Sequence, residues 1–201
     1  MKIAIVHDWL TGMRGGEKCL EVLCKLYPSA DLFTLLHIPG SVSQTIESHS
    51  IHTSFIQNLP FVKSKYRYYL PLMPLAIESF DLRKYDLILS SSHCVAKSVK
   101  PRQGSLHICY CHTPMRYIWD QFDQYFCRAK SGFIPWAIMK ILRPWLQQWD
   151  SKTSCRVDDY IANSRHVQKR IKKYYLKGAT IIHPPVDTKR FKPSGEKKKD
   201  Y

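Results

Sequence analysis

No stretch of the 201-residue chain approaches the ~20 consecutive apolar residues needed to cross a bilayer, which sets a membrane-spanning protein aside. The seven cysteines are odd in number and scattered behind no signal peptide, so reduced thiols in a cytoplasmic protein are expected, not a disulfide framework. Zinc spacing is absent as well. Cys109-x-Cys111 on a strand is expected to point its thiols to opposite faces, no other cysteine pair is spaced for one ion, and no metal site is expected. Neither a dinucleotide fingerprint nor a Walker loop is present, since Lys18 follows Glu17 and not a glycine. Acidic residues are scarce: 16 Asp and Glu stand against 31 Lys and Arg, a formal charge of +15. Such a surplus bears on partners, not fold, and fits phosphate-bearing ligands, anionic lipid or nucleic acid. Without a zinc finger, an RNP-type segment or a convincing recognition helix, no nucleic-acid partner is expected.

What is present is an alternation. With 44% hydrophobic residues the chain can bury one good core, and one domain is expected over residues 1–187, with 188–201 as a linker or tail. Short apolar runs of strand type occur at Lys2–Val6, Asp31–Leu36, Ile51–Phe55, Asp86–Ser90, Leu106–Tyr110, Tyr160–Ala162 and Thr180–Ile182. Helical spacing fills the intervals between most of them. About seven strands alternating with helices predict an α/β fold with a mostly parallel, doubly wound, Rossmann-like sheet.

Polar clusters follow four of these strands. The first run leads into His7-Asp8-Trp9-Leu10-Thr11-Gly12-Met13-Arg14-Gly15-Gly16-Glu17-Lys18, after which Leu20, Leu23, Cys24 and Tyr27 recur at helical spacing. Strand, glycine loop and helix start together suit an anion, because glycine lets backbone N–H groups approach and the helix start is partly positive. Ser91-Ser92-His93 ends the fourth run, and His112-Thr113-Pro114-Met115-Arg116 the fifth. Pro114 pushes Thr113 toward extended geometry, which holds the His112 ring in a reproducible place. Asn163-Ser164 ends the sixth run, and the Ser164 hydroxyl is placed to cap the next helix. In that helix Val167, Ile171 and Tyr174 are expected inward, with Lys169, Arg170, Lys172, Lys173 and Lys177 solvated or facing an anionic partner.

Two further segments carry amphipathic signals. Lys63, Lys65 and Arg67 are interleaved with Tyr66, Tyr68 and Tyr69, a mixture that suits either a membrane interface or a sheet-covering helix with snorkelling lysines. Ile134, Ile138, Ile141, Leu142, Trp145 and Trp149 form a stripe expected to be core, Pro144 is expected to kink or divide that helix, and Trp136, Lys140 and Arg143 on another side suit a second interfacial contact.

Taken together, KIAIVHDWL, GGEKCLEVL, SSSHCVAKSV, CYCHTPMRYIWD, YIANSRHVQKRI and IIHPPVDTKRF resemble, in order and over nearly the whole chain, the amino-terminal half of glycosyltransferase family 4. These are retaining nucleotide-sugar enzymes of GT-B fold, and the likeness is to bacterial mannosyltransferase-like members that build surface polysaccharide. Ser98 departs from the pattern, which carries a glycine there. The resemblance implies a chain half the usual length, lacking the second Rossmann-like domain that supplies most donor contacts, and hence an acceptor-side half inactive alone. It assigns Gly15 and Gly16 to the donor diphosphate and His112 to the transferred sugar, as the catalytic-site histidine. Thr113, Arg116, Asn163 and Ser164 are the further substrate-binding candidates. It also implies metal-independent transfer with no cofactor beyond the nucleotide-sugar substrate, a glycan or lipid-linked acceptor, and a place in the cytoplasm at the inner face of the membrane. The alternative is a non-catalytic basic module that binds a membrane surface or a protein partner.

Overall fold

The computed structural model describes residues 1–127 and 132–188. Seven strands form one sheet: β1 (Ile3–His7), β2 (Asp31–Thr34), β3 (Ile51–Thr53), β4 (Leu87–Ser92), β5 (Leu106–Cys111), β6 (Asp159–Ala162) and β7 (Thr180–Ile181). Their order is β3-β2-β1-β4-β5-β6-β7, and every pair is parallel. The chain reverses its direction of winding between β1 and β4, and that switch point opens a crevice above the carboxyl ends of both strands. The central strands read as unbroken apolar runs because helices cover both faces. The proposed tail from residue 189 onward lies outside the described residues.

One face carries α1 (Gly15–Leu26), whose Leu20 and Cys24 pack with Ile5, Leu32, Leu87 and Leu89. On the other face, Ala4, Val6 and Ile88 meet the segment Val62–Glu78 and the long helix Phe133–Thr153 through Tyr66, Leu70, Met73, Ile77, Met139 and Leu146. The helix Arg165–Tyr175 packs Val167, Ile171 and Tyr175 against Cys109, Cys111, Tyr160 and Ala162. Cys109 and Cys111 therefore share a face, contrary to the expectation from sequence, because alternate residues of a strand point the same way.

Three further expectations give way. The stripe on Phe133–Thr153 is core only in part: Leu142 and Trp149 pack against the core beside the buried Met139 and Leu146, whereas Ile134, Ile138, Ile141 and Trp145 are 69%, 47%, 77% and 46% exposed. Pro144 does not divide that helix, which runs as 21 residues. Arg170 is buried, not solvated: its guanidinium donates to Thr113 Oγ1 and, at 2.6 Å, to Asp120 Oδ1, while Tyr174 stacks on Trp119.

A buried ion pair joins the elements on this side. Lys97 Nζ lies 3.0 Å from Asp150 Oδ1 and donates to the Asp150 carbonyl at 2.8 Å. Asp150 Oδ2 accepts from Trp119 Nε1 at 2.7 Å and from the Tyr175 hydroxyl at 3.0 Å. One carboxylate thus connects the loop after β4, the loop after β5 and two helices. Removing one partner leaves the other as an uncompensated buried charge, so Lys97→Met should cost about 3 kcal/mol in urea unfolding. An unchanged midpoint would show that Asp150 is held by its other donors alone.

Candidate active site

The carboxyl ends of β1, β4 and β5 meet in a cluster of His7, Asp8, Ser91, His93 and His112, with Glu17 and Gly16 above it on α1. Asp8 is fully buried and its carboxylate accepts four backbone N–H groups: His93 at 2.6 Å, Cys94 at 3.0 Å, Val95 at 2.6 Å and Ala96 at 2.8 Å. His93 Nδ1 stands 3.0 Å from the same carboxylate. Burial alone would raise the Asp8 pKa, but the charge and hydrogen bonds of His93, together with His7, outweigh it and hold the carboxyl well below its usual range. The Asp8 carboxylate thereby fixes the turn that carries His93 toward the crevice.

Ser91 sits between two rings. Its hydroxyl is 3.1 Å from His7 Nδ1 and 2.9 Å from His112 Nε2. Burial, reinforced by the neighbouring His93, lowers the His7 pKa to about 3 and that of His112 to about 4, so both rings are neutral at physiological pH. A neutral ring carries one N–H, and the serine has one proton to give. His7 Nε2 faces Glu17 Oε1 at 4.0 Å, where a bare lone pair would be repelled by the carboxylate, so the proton of His7 belongs on Nε2. Ser91 then donates to His7 Nδ1 and accepts from His112 Nε2. His112 Nδ1 is left as an acceptor at the end of the chain Glu17, His7, Ser91, His112.

Gly15 and Gly16 form the first turn of α1, where backbone N–H groups have no intrahelical partner. A Cβ on Gly16 would lie 3.8 Å from His112 Nε2 and 3.7 Å from His7 Cε1, so the helix start and the histidine pair meet at this residue. Gly16 is helical; the flexible residue of the loop is Gly12, with φ +148. Glu17 closes the turn by accepting Arg14 N–H at 3.0 Å.

The other candidates surround this centre. Asn163 Nδ2 donates to the His112 carbonyl at 3.0 Å, and Ser164 caps its helix by accepting Val167 N–H at 3.3 Å while donating to Asn163 Oδ1 at 3.0 Å. Thr113 donates to Pro114 O at 3.0 Å and receives Arg170. Arg116 is half-buried, forms no ion pair with a described carboxylate, and its Nε has no partner. Trp9 meets the His93 ring edge-on at 4.5 Å and forms one wall of a cavity of about 270 Å3, closed by Lys65, Arg67, Tyr68, Tyr117 and Tyr125. Among the described residues no group of His, Cys, Asp and Glu side chains is arranged to hold a metal ion. Sequence reading missed His7, Asp8 and Glu17. The available signal was a His-Asp pair directly at the end of the first strand.

A parallel sheet with its polar cluster at the switch point, a helix start aimed at that cluster and an adjoining cavity define a Rossmann-like domain with its ligand crevice at the carboxyl edge of the sheet. Residues 15–190 match the model of Glycosyltransferase Family 4, and the chain belongs to that family. Among solved structures, it is similar to the lipopolysaccharide outer core galactosyltransferase WaaB in its apo form, with a TM-score of 0.50 and 11% identity over 98% of this chain and 50% of that one. It is also similar to HepE of Anabaena in complex with UDP, with a TM-score of 0.53 and 13% identity over 97% of this chain and 47% of that one. At such identities the likeness concerns the fold, and this chain spans about half the length of each. No curated protein matches it.

The histidines set a pH dependence. His107 is also held neutral by burial, its pKa lowered to about 4 with Ser90 and the Arg156 carbonyl on its two nitrogens. Below the ordinary histidine pKa of 6.5 the unfolded chain binds these three protons and the native chain does not. Stability is therefore fully present above that value and is lost as pH falls from it toward the folded pKa values. Between about pH 7.5 and 5.5 the unfolding free energy should drop by roughly 3–4 kcal/mol, and His107→Gln should remove about a third of the dependence. A flat profile across this window would show that the rings charge in the folded protein.

Proposed function

We propose that this chain is the acceptor-side half of a retaining, nucleotide-sugar-dependent hexosyltransferase that moves a mannose-like hexose to a polysaccharide or lipid-linked acceptor. The observation that carries this reading is the convergence of the Gly16 helix start on the His112 ring, whose Nε2 lies 3.8 Å from where a Gly16 Cβ would be and bonds Ser91. A donor diphosphate at the free N–H groups of Gly15 and Gly16 puts its sugar beside His112, where Nδ1 accepts from a sugar hydroxyl. That HepE was solved with UDP supports a nucleotide ligand for this fold. Arg116, with its unpartnered Nε, is available to the developing phosphate charge, and Thr113, Asn163 and Ser164 hold the His112 loop and the cleft edge in place.

In retaining transfer of this kind the leaving phosphate helps to deprotonate the acceptor hydroxyl, so binding and electrostatic stabilisation carry the rate and the protein need supply no strong base. The cavity beside Trp9, walled by aromatic rings with Lys65 and Arg67 at its edge, is placed for the acceptor. No metal and no cofactor beyond the donor enter the proposal, and its setting is the cytoplasmic side of a membrane.

In an enzyme competent for transfer, His112→Ala should lower sugar transfer at least tenfold, and because it leaves the buried Ser91 hydroxyl without that partner it should also cost about 1–3 kcal/mol of stability. Full turnover by that variant would remove His112 from the site. Gly16→Val should raise the KM for the nucleotide sugar, because the branched side chain projects between His7 and His112 where the donor must lie. Unaltered donor affinity there would show that the glycine serves the helix turn alone.

A further inference from the structure

The polar cluster after β4 ends in His93, a residue to which the transfer reading gives no task. Its ring is held from one side only. Nδ1 lies 3.0 Å from the Asp8 carboxylate, which also accepts the His93 backbone N–H at 2.6 Å. Nε2 has no hydrogen-bond partner among the described residues and is open to solvent, the side chain being 15% exposed. The Asp8 carboxylate, ionised and fully buried, can only accept, so the nitrogen that faces it carries the proton. In the neutral ring that is the single N–H, and the lone pair is on Nε2. A buried carboxylate thus sets both the tautomer and the orientation of an imidazole whose far nitrogen is presented outward.

The ring stands between two parts of the site. It meets Trp9 edge-on at 4.5 Å between centroids, and its centroid is 6.4 Å from that of His112. Trp9 is a wall of the cavity assigned above to the acceptor glycan, whereas His112 is assigned to the transferred sugar. His93 is therefore at the junction, where a glycan seated in the cavity approaches the donor. The cavity also lacks what Nε2 supplies. Sugar hydroxyls must donate as well as accept, yet Lys65, Arg67 and Trp9 only donate, and no carboxylate or carboxamide lines the wall.

We infer that Asp8 and His93 form an acceptor-orienting pair, in which His93 Nε2 accepts a hydrogen bond from a hydroxyl of the acceptor glycan and Asp8 holds the ring for it. The inference rests on the transfer reading for its ligand, though not for the state of the ring. The hydroxyl bound is a neighbour of the one that attacks. The attacking hydroxyl has one proton, which passes to the leaving phosphate as its oxygen bonds the anomeric carbon and the bond from that carbon to the phosphate oxygen breaks. No proton moves to His93 in this step. His93 touches the glycan, and Asp8 is a positioning residue that acts through it.

The test uses the whole chain, isotope-labelled at histidine and tryptophan nitrogen, titrated with the methyl glycosides of mannose, galactose, glucose and N-acetylglucosamine and with no donor. In the free chain at about pH 7.5, magnetic resonance should show His93 Nδ1 protonated and Nε2 unprotonated. With the glycoside that binds best, the His93 Nε2 and Trp9 indole resonances should move together along one binding curve. His93→Asn keeps an amide N–H for Asp8 and places nothing at Nε2, so it should weaken binding about fivefold. His93→Gln places an amide oxygen near Nε2 and should stay within about twofold of the unsubstituted chain. A purely structural role, exerted through Asp8, reverses that order, and the reversal overturns the proposal. A protonated Nε2 in the free chain overturns it as well. Movement of the Trp9 indole without His93 also overturns it and leaves the cavity as the acceptor's place, whereas glycosides that move neither resonance overturn it together with that placement.

Discussion

Everything at the carboxyl edge of the sheet depends on one buried carboxylate. Asp8 has no side-chain surface in water, and an isolated ionised acid in such a position would be protonated or expelled. It is retained because four consecutive backbone N–H groups, from His93 to Ala96, converge on it and the His93 ring lies beside it. The dependence is mutual. Those four donors belong to a turn that would otherwise bury them without partners, so the loop after β4 takes its shape only around the end of β1. The placement of Ser91 and His93 relative to His7 and His112 is thereby a consequence of the Asp8 carboxylate.

A second buried acid does for the outer helices what Asp8 does for the site. Asp150 collects Lys97, Trp119 and Tyr175, and Lys97 follows directly on the turn that Asp8 caps. The route from β1 through that turn to the helix Phe133–Thr153 is therefore a line of charged hydrogen bonds in a low-dielectric interior, where each is strong when complete and costly when broken. Arg170, bound to Thr113 and Asp120, repeats the device on the far side of the His112 loop. The loop is thus fixed from both flanks, and the histidine it carries need not rely on Pro114 alone.

How far the sequence could be read follows from what each signal encodes. The strands β1, β2 and β4, buried on both faces, were legible as apolar runs, β2 ending at Thr34 and short of Leu36; β3, β5, β6 and β7 are partly exposed and were legible as short runs of strand-forming residues between turns. The cap at Ser164 was legible because a hydroxyl before a helix has one favoured use. The stripe at Ile134, Ile138, Ile141 and Trp145 was seen at the right spacing and assigned to the wrong side. Periodicity reports that a helix has an apolar face, and says nothing of whether sheet or solvent lies against it. Arg170 hid in a run of cations because its partners, Thr113 and Asp120, lie 57 and 50 residues away. Asp8 hid for a related reason: its partners are backbone amides, which every sequence contains.

The distribution of charge joins these observations. The chain carries a surplus of fifteen positive charges, yet the two rings that flank Gly16 are neutral, because burial makes charging them costly. A cationic His112 would hold a phosphate as firmly as a sugar hydroxyl and would blur the register between the two ends of a donor. On the donor placement proposed above, a neutral ring whose Nδ1 accepts would offer a phosphate no donor there, leaving the amides of the helix start and Arg116 as its partners. Sugar and diphosphate would then be told apart at this edge by protonation state.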